Sequence, residues 1–358
     1  MRPIYYLGAL APVAVGLDAV GASAPLVFFA SAGAVIPAAA LIGEATEDLS
    51  ARSGPGVAGL VNVTFGNAPE LIIAAFALGS GLQEVVKASL VGSIIGNSLL
   101  VLGAAMLAGG WKRTRQTFSH MAAQAQTGML LVTTIALILP AVFQLIHGGG
   151  LPSVGERRHS FGHQLDHLSL AVALVLIATY LAGLVFSLRT HRDLFRPDSE
   201  DGEPPRWSLR RSVLTLAAAA GLVALMSELL VGSIEAASRD IGLSQFFIGV
   251  FIVAIVGNAA EHYVAVLAAA KDKMDLAVNI AIGSSAQIGL FVAPVLVLLS
   301  YVLGPAPLAL VFNGYEISGL ILAALITTAL ISDGESTWFE GVELLAVYVI
   351  LGLVFYYA

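Results

Sequence analysis

The stretch GNAPELIIAAFALGSGLQEVVKASLVGSIIGNSLLVLG at residues 66–103 returns 191 residues later as GNAAEHYVAVLAAAKDKMDLAVNIAIGSSAQIGLFVAP at residues 257–294. Both copies begin with GNAxE and carry a Gly-Ser pair at the same spacing. Each motif places a glutamate, Glu70 or Glu261, at the start of a long apolar run. Because an ionisable side chain is costly inside a bilayer, a repeated one indicates a functional site.

The composition is typical of a polytopic helical membrane protein. Of the 358 residues, 58% are hydrophobic and 11% charged, whereas soluble domains carry about 25% charged residues. Apolar stretches close to the ~20 residues that a bilayer requires recur along the chain. Cysteine is absent, which excludes disulfides and thiol chemistry, and no basic patch supports nucleic-acid binding.

The hydropathy pattern predicts an all-α polytopic membrane protein with about 11 transmembrane helices. Charged residues, glycine and proline mark the breaks between them. Most of the 17 lysine and arginine residues fall at the N-terminus or after even-numbered spans, so we expect a cytoplasmic N-terminus and an external C-terminus. The predicted spans are 4–21, 24–43, 56–79, 83–109, 120–146, 166–188, 210–236, 244–270, 274–303, 306–332 and 338–357.

The two motifs lie on the third and eighth spans, five apart, so they enter the membrane from opposite sides. This arrangement predicts two inverted five-helix repeats, the usual architecture of a transporter with a site near the bilayer midplane. We expect one extra N-terminal helix at 1–22, a first repeat at 23–188, a cytoplasmic acidic and basic linker at 189–209, and a second repeat at 210–358.

The chemistry of the motif suits a hard cation. In the first copy Asn67 lies three residues before Glu70, on the same helix face, and Pro69 removes one backbone donor. Oxygen ligands of this kind suit Ca²⁺, and the lack of soft ligands disfavours copper or structural zinc. The expected ligands are the carboxylates of Glu70 and Glu261, supported by Asn67, Asn258, Ser93, Asn97, Ser284 and Gln287.

The cost of buried charge constrains the mechanism. Two ionised, unpaired carboxylates near the midplane would each cost at least several kcal/mol, in order of magnitude. The site therefore holds either a divalent cation or protons at all times, and the two states exclude each other. An empty anionic carrier is too costly to reorient, which is the physical basis of an antiporter.

At these residues the chain resembles the Ca²⁺/H⁺ (cation/proton) exchangers of the Ca²⁺/cation antiporter superfamily. The likeness extends to IPAAALIGEATEDLS at 36–50 and SELLVGSIEAA at 227–237. The resemblance implies export of cytosolic Ca²⁺ in exchange for external H⁺, with Glu70 and Glu261 carrying the ions. It also implies an integral protein of a prokaryotic inner membrane. One departure is Pro69, where the family more often has threonine.

Several alternatives stay open on the sequence alone. A Na⁺/Ca²⁺ exchanger on the same fold and, less favoured, a cation channel would share the two glutamates. No nucleophile or metal triad supports an enzyme, and no cofactor is expected beyond the transported ions. An oligomer is possible. His262 is either a proton relay or a packed neutral histidine. Four further carboxylates are either a cytoplasmic entry or gate, or plain interfacial charge: Glu44, Glu47, Glu228 and Glu235.

Overall fold

A computed structural model describes residues 3–53, 61, 64–156, 161–190 and 205–358. Within these residues the chain forms eleven helices and one pair of two-residue strands. The 3-10 helix Pro3–Ala9 leads into the first helix. The helices are α1 Leu10–Ala19, α2 Ala24–Arg52, α3 Ala68–Gly79, α4 Gln83–Gly110, α5 His120–Ile146, α6 His163–Val185, α7 Leu209–Ile241, α8 Gln245–Ala270, α9 Met274–Leu299, α10 Gly314–Leu330 and α11 Trp338–Tyr356; the strands are β1 Gln116–Thr117 and β2 Glu335–Ser336.

The predicted all-α membrane fold with about eleven helices is confirmed. Eight of the helices are long and apolar enough to cross a membrane. Three shorter apolar helices, Tyr5–Ala19, Ala68–Gly79 and Gly314–Leu330, complete the set. Most of the first part of the predicted third span, at 56–60 and 62–63, lies outside the described residues.

Contacts between connections divide the molecule into two ends. At one end, β1 after α4 pairs antiparallel with β2 after α10, and Gln116 donates to Asp272 after α8 over 2.8 Å. At the other end, Gly155 N–H donates to Glu84 over 2.7 Å, and Gln83 donates to the Ala306 carbonyl over 2.8 Å. We call the first the even end, because the even-numbered helices finish there, and the second the odd end, because the odd-numbered helices finish there.

Because helices alternate direction between the two ends, α3 runs from the even to the odd end and α8 runs back. The two GNAxE motifs are therefore antiparallel, as their separation by five positions in the helix order, an odd number, predicts. The boundaries of the two five-helix repeats stay a prediction. Of the predicted linker at 189–209, residues 191–204 lie outside the described part of the chain.

Helix α4, which follows the first GNAxE motif, is in close backbone contact with α8, which carries the second. Helix α4 is the most buried of the long helices, and a Cβ atom on its Gly92 would overlap the Val250 carbonyl of α8. In return, a Cβ on Gly249 would lie 2.7 Å from the Ala88 Cβ. Segments of π-helix interrupt α4 at Gly96–Val101, α8 at Ile248–Val253 and α9 at Ile288–Val292. Glycine thus sets the approach of α4 to α8.

The predicted span 306–332 is wrong over its first part, because residues 307–313 are not helical. This buried stretch follows Pro305 and contains Pro307, and the helix begins only at the Asn313–Glu316 capping box. Side chains replace the missing helical hydrogen bonds of this stretch and of Ala306, which precedes it. Leu308 N–H donates to Ser300 Oγ, and Leu310 N–H donates to Ser169 Oγ. The Ala306 carbonyl accepts from Gln83, and the Val311 carbonyl accepts from Lys87.

Candidate ion-binding site

Each motif glutamate lies against the glycine of the opposite motif. A Cβ atom added to Gly257 would stand 3.2 Å from Glu70 Cγ, and one added to Gly66 would stand 3.8 Å from Glu261 Oε1. This reciprocal contact arises because α3 and α8 pack antiparallel to each other. It brings two carboxylates that are distant in sequence into one region of the interior.

Both carboxylates keep an unsatisfied oxygen. Oε2 of Glu70 and Oε2 of Glu261 are buried and accept no hydrogen bond within the described part of the chain. A buried acceptor without a partner costs about 1–3 kcal/mol, and more when the group is charged. A cation or a proton at these oxygens would remove that cost, so the donor set fits a hard cation.

An amide and hydroxyl network surrounds the carboxylates. In one half, Asn67 Nδ2 donates to Gln287 Oε1 over 2.8 Å, and Ser284 Oγ donates to Asn67 Oδ1 over 3.3 Å. In the other half, Asn258 Nδ2 donates to Ser93 Oγ over 2.9 Å. Each motif asparagine is thus held by the polar residues that follow the other motif.

Asn97 joins the two halves. Its Nδ2 donates to Asn258 Oδ1 over 3.3 Å and to Ser284 Oγ over 3.2 Å, and its Oδ1 lies 3.0 Å from His262 Nε2. The structure therefore brings together all six polar residues expected to support the site, in bonds between helices. His262, the residue after Glu261, joins this network through its contact with Asn97.

The two copies differ at Pro69. Helix α3 begins at Ala68, Asn67 lies at its N-cap, and Pro69 occupies the first turn. A proline there costs no intrahelical hydrogen bond, because the first-turn amides have no helical acceptor. The second motif instead lies inside the continuous α-helical part of α8, Ala254–Ala270. Pro69 therefore marks a helix start beside the carboxylate in the first copy.

The two glutamates open into different spaces. Glu261 lines a cavity of 460 Å³, the wide cavity, together with Ser284, Gln287, Glu44 and Glu47. Since Glu44 and Glu47 lie near the end of α2, this cavity opens at the even end. Glu70 lines a separate pocket of 10 Å³ with Ser93. In this conformation Glu261 lines the wide cavity at the even end, and Glu70 lines the much smaller pocket.

The structure places the four further carboxylates, predicted to be a cytoplasmic entry or gate or plain interfacial charge, at different ends of the molecule. Glu44 and Glu47 line the wide cavity at the even end, whereas Glu235 lines a pocket of 250 Å³ at the odd end. An inverted repeat places equivalent positions at opposite ends, so Glu44 and Glu235 cannot share an entry. Glu228 is an exposed residue within α7.

Sequence reasoning missed Asn279 and Tyr263, which line the wide cavity. Asn279 Oδ1 accepts a hydrogen bond from Gln126 of α5. In the sequence, Asn279 could have been identified as a polar residue within an apolar span, five residues before Ser284. It also missed Lys87 and Glu316, two charged residues buried in the odd half of the molecule.

Comparison with known proteins adds an independent line of evidence. Residues 23–189 and 211–357 match the family described as sodium/calcium exchanger protein. The chain is 42% identical to the Ca²⁺/H⁺ antiporter of Synechocystis sp., over 92% of this chain and 91% of that protein. It is 44% identical to the Ca²⁺/H⁺ antiporter ChaA of Bacillus subtilis, over 90% and 89%. The solved structure of native YfkE superposes with a TM-score of 0.85 at 38% identity, covering 100% of both chains.

Proposed function

The chain belongs to the Ca²⁺/H⁺ antiporter family within the sodium/calcium exchanger superfamily, and from this premise we propose that Glu70 and Glu261 alternately bind Ca²⁺ and protons. The transporter exports cytosolic Ca²⁺ in exchange for external H⁺. Ca²⁺ and H⁺ are its substrates, and the lipid bilayer is its environment.

The reciprocal packing of the two motifs is the observation that carries this proposal. Glu70 lies against Gly257 and Glu261 against Gly66, so both carboxylates can serve one cation. Their buried Oε2 atoms accept no hydrogen bond from described residues. Since the site tolerates a cation or protons and not two bare charges, loading with one ion requires release of the other.

The two cavities support alternating access. The wide cavity connects Glu261 with Glu44 and Glu47 at the even end, which the distribution of lysine and arginine assigns to the cytoplasm. Glu70 lines a pocket of only 10 Å³. This conformation is the cytoplasm-facing state, ready to accept Ca²⁺. Tilting of α3 and α8 against the remaining helices would open the odd end.

A transport assay separates H⁺ coupling from Na⁺ coupling. Everted membrane vesicles are loaded to give either an acidic lumen or a Na⁺-rich lumen, and initial ⁴⁵Ca²⁺ uptake is measured. We expect uptake driven by the pH gradient and collapsed by a protonophore. Uptake that requires the Na⁺ gradient and ignores the pH gradient would identify the Na⁺/Ca²⁺ exchanger instead.

A further inference from the structure

A second polar pocket lies at the odd end, away from the motif glutamates. Its volume is 250 Å³, and it opens where α4 begins and where the connection between α5 and α6 passes. Carboxylates from four separate elements and one lysine line it: Glu84, Glu156, Glu235, Glu316 and Lys87. We call it the acidic pocket.

Glu316 is the deepest of these carboxylates. Its side chain is 2% exposed, and its Oε2 accepts from Asn313 N–H over 2.8 Å in the capping box of α10. Its Oε1 is buried and accepts no hydrogen bond within the described residues. Capping needs one carboxylate oxygen, so the second is left for a ligand that enters the acidic pocket.

The amine of Lys87 influences which ligand can enter the acidic pocket. The residue is 7% exposed, and its Nζ donates to the Val311 carbonyl over 2.9 Å. It interacts electrostatically with Glu316, Glu84 and Glu156. When protonated, Lys87 repels a divalent cation in the acidic pocket more strongly than a single proton.

Helix α4 links the acidic pocket to the site. Lys87 faces the acidic pocket, and Ser89 and Ser93, on the same helix, line the pocket of Glu70. Two to six residues of helix correspond to about 3–9 Å along its axis. The acidic pocket therefore lies within two turns of α4 from the pocket that Glu70 lines, on the side away from the wide cavity.

We infer that the acidic pocket is the external proton entrance, that Glu316 is its proton acceptor, and that Lys87 excludes divalent cations from it. A proton from external water adds to Glu316 Oε1 and leaves it through water toward Glu70, so Glu316 regains its charge in each cycle. This inference rests on the proposed Ca²⁺/H⁺ exchange and deepens it.

The charged surroundings set the expected pH response. The described groups that face Glu316 in the pocket are Lys87, Glu84, Glu156 and Glu235, and Arg239 lines an adjoining opening with Glu84. The carboxylates attract protons to the pocket and the ammonium opposes them. Removing one rim carboxylate should therefore require a more acidic external solution for the same proton occupancy.

Glu316→Gln tests the inference while preserving the cap, because glutamine also serves in a capping box. Everted vesicles expose the external face to the lumen, so initial ⁴⁵Ca²⁺ uptake is measured across a series of lumenal pH values. We expect uptake at least about 100-fold slower than wild type, with a flattened lumenal pH dependence. Ca²⁺ affinity on the cytoplasmic side should be unchanged.

Glu340→Gln is the matched control, because Glu340 forms the same capping box with Thr337 in α11. It should keep the wild-type pH profile. Glu156→Gln, at an exposed position, gives a second test that does not depend on a buried substitution. It should shift half-maximal uptake to lower lumenal pH.

The inference is overturned if Glu316→Gln and Glu156→Gln both keep the wild-type lumenal pH dependence. It is also overturned if Glu316→Gln slows uptake only in proportion to lost protein, with its pH profile intact. Failure of the proposed function looks different, because the wild-type protein itself would then show no uptake driven by the pH gradient.

Discussion

The side chain of Glu70 lies against the backbone of Gly257, so that a Cβ atom at Gly257 would stand 3.2 Å from Glu70 Cγ and 3.4 Å from its Oε1. The two residues are on antiparallel helices and belong to opposite copies of the repeated motif. Gly257 leaves room for the Glu70 carboxylate, whereas the corresponding contact of Gly66 with Glu261 is looser.

Gly257→Ala should weaken Ca²⁺ binding, because its methyl group crowds the Glu70 carboxylate. Overpacking of this kind costs about 1–3 kcal/mol, which corresponds to a loss of about tenfold in affinity. Equilibrium ⁴⁵Ca²⁺ binding to purified protein measures it. Gly66→Ala is the control, since its Cβ would stand 3.8 Å from Glu261 Oε1, at ordinary contact distance. Equal losses in both variants would contradict the packing argument.

Gly92→Ala should destabilise the fold, because its Cβ would overlap the Val250 carbonyl of α8. Backbone must shift to accept the methyl, at about 3 kcal/mol or more. Gly96→Ala lies four residues on, and a Cβ there meets no atom within 4 Å. Thermal unfolding in detergent should therefore separate the two variants. A wild-type melting temperature for Gly92→Ala would refute the close α4–α8 contact.

Neutralising the mouth of the wide cavity should slow Ca²⁺ entry without changing the site. Glu44→Gln with Glu47→Gln removes two charges that line the cavity, so the rate of Ca²⁺ association should fall about tenfold at low salt and less at high salt. Stopped-flow measurements with a Ca²⁺ indicator report this rate. Glu335→Gln, an exposed carboxylate paired with Arg115 at the same end, should have little effect. Equal slowing in Glu335→Gln would indicate a general surface effect.

Two variants of His262, which is hydrogen-bonded to Asn97, distinguish between a positioning role and a proton relay. If His262 only positions Asn97, then His262→Gln should keep uptake driven by the pH gradient within about threefold of wild type, because glutamine offers the same hydrogen-bonding groups. His262→Ala leaves Asn97 with one partner fewer and should lose more. A relay of protons through the ring predicts instead that both variants lose uptake equally.

Competition between protons and Ca²⁺ fixes the sign of the pH dependence of binding. Protonated carboxylates do not coordinate Ca²⁺, so apparent Ca²⁺ affinity should fall as pH falls. Each bound Ca²⁺ should release protons, which a pH-sensitive dye in weak buffer can count. Ca²⁺ binding that is independent of pH and releases no protons would contradict exchange at a shared site.

The sequence predicted the features that follow from repetition and charge. The spacing of Glu70 and Glu261 on the third and eighth spans predicted antiparallel motifs, and the structure has them. It did not predict the non-helical stretch at 307–313. The apolar residues there resemble a span until Ser300, Ser169 and Lys87 are known to satisfy its backbone.

The entry carboxylates show a second limit. The sequence grouped Glu44 and Glu235 as a possible cytoplasmic entry or gate, whereas the structure places them at opposite ends. Cross-helix hydrogen bonds were also beyond the sequence, since spacing places Asn67 and Asn258 on helix faces but does not identify the partner helix. Local pattern defines the elements, and their contacts require the packed structure.

The central claim is that Glu70 and Glu261 together carry the exchange, and uptake of ⁴⁵Ca²⁺ by everted vesicles with an acidic lumen tests it most directly. Glu70→Gln and Glu261→Gln, each expressed at the wild-type level, should both abolish uptake driven by the pH gradient, because either substitution removes one of the two charges that hold Ca²⁺. Retention of that uptake by either variant would contradict the account.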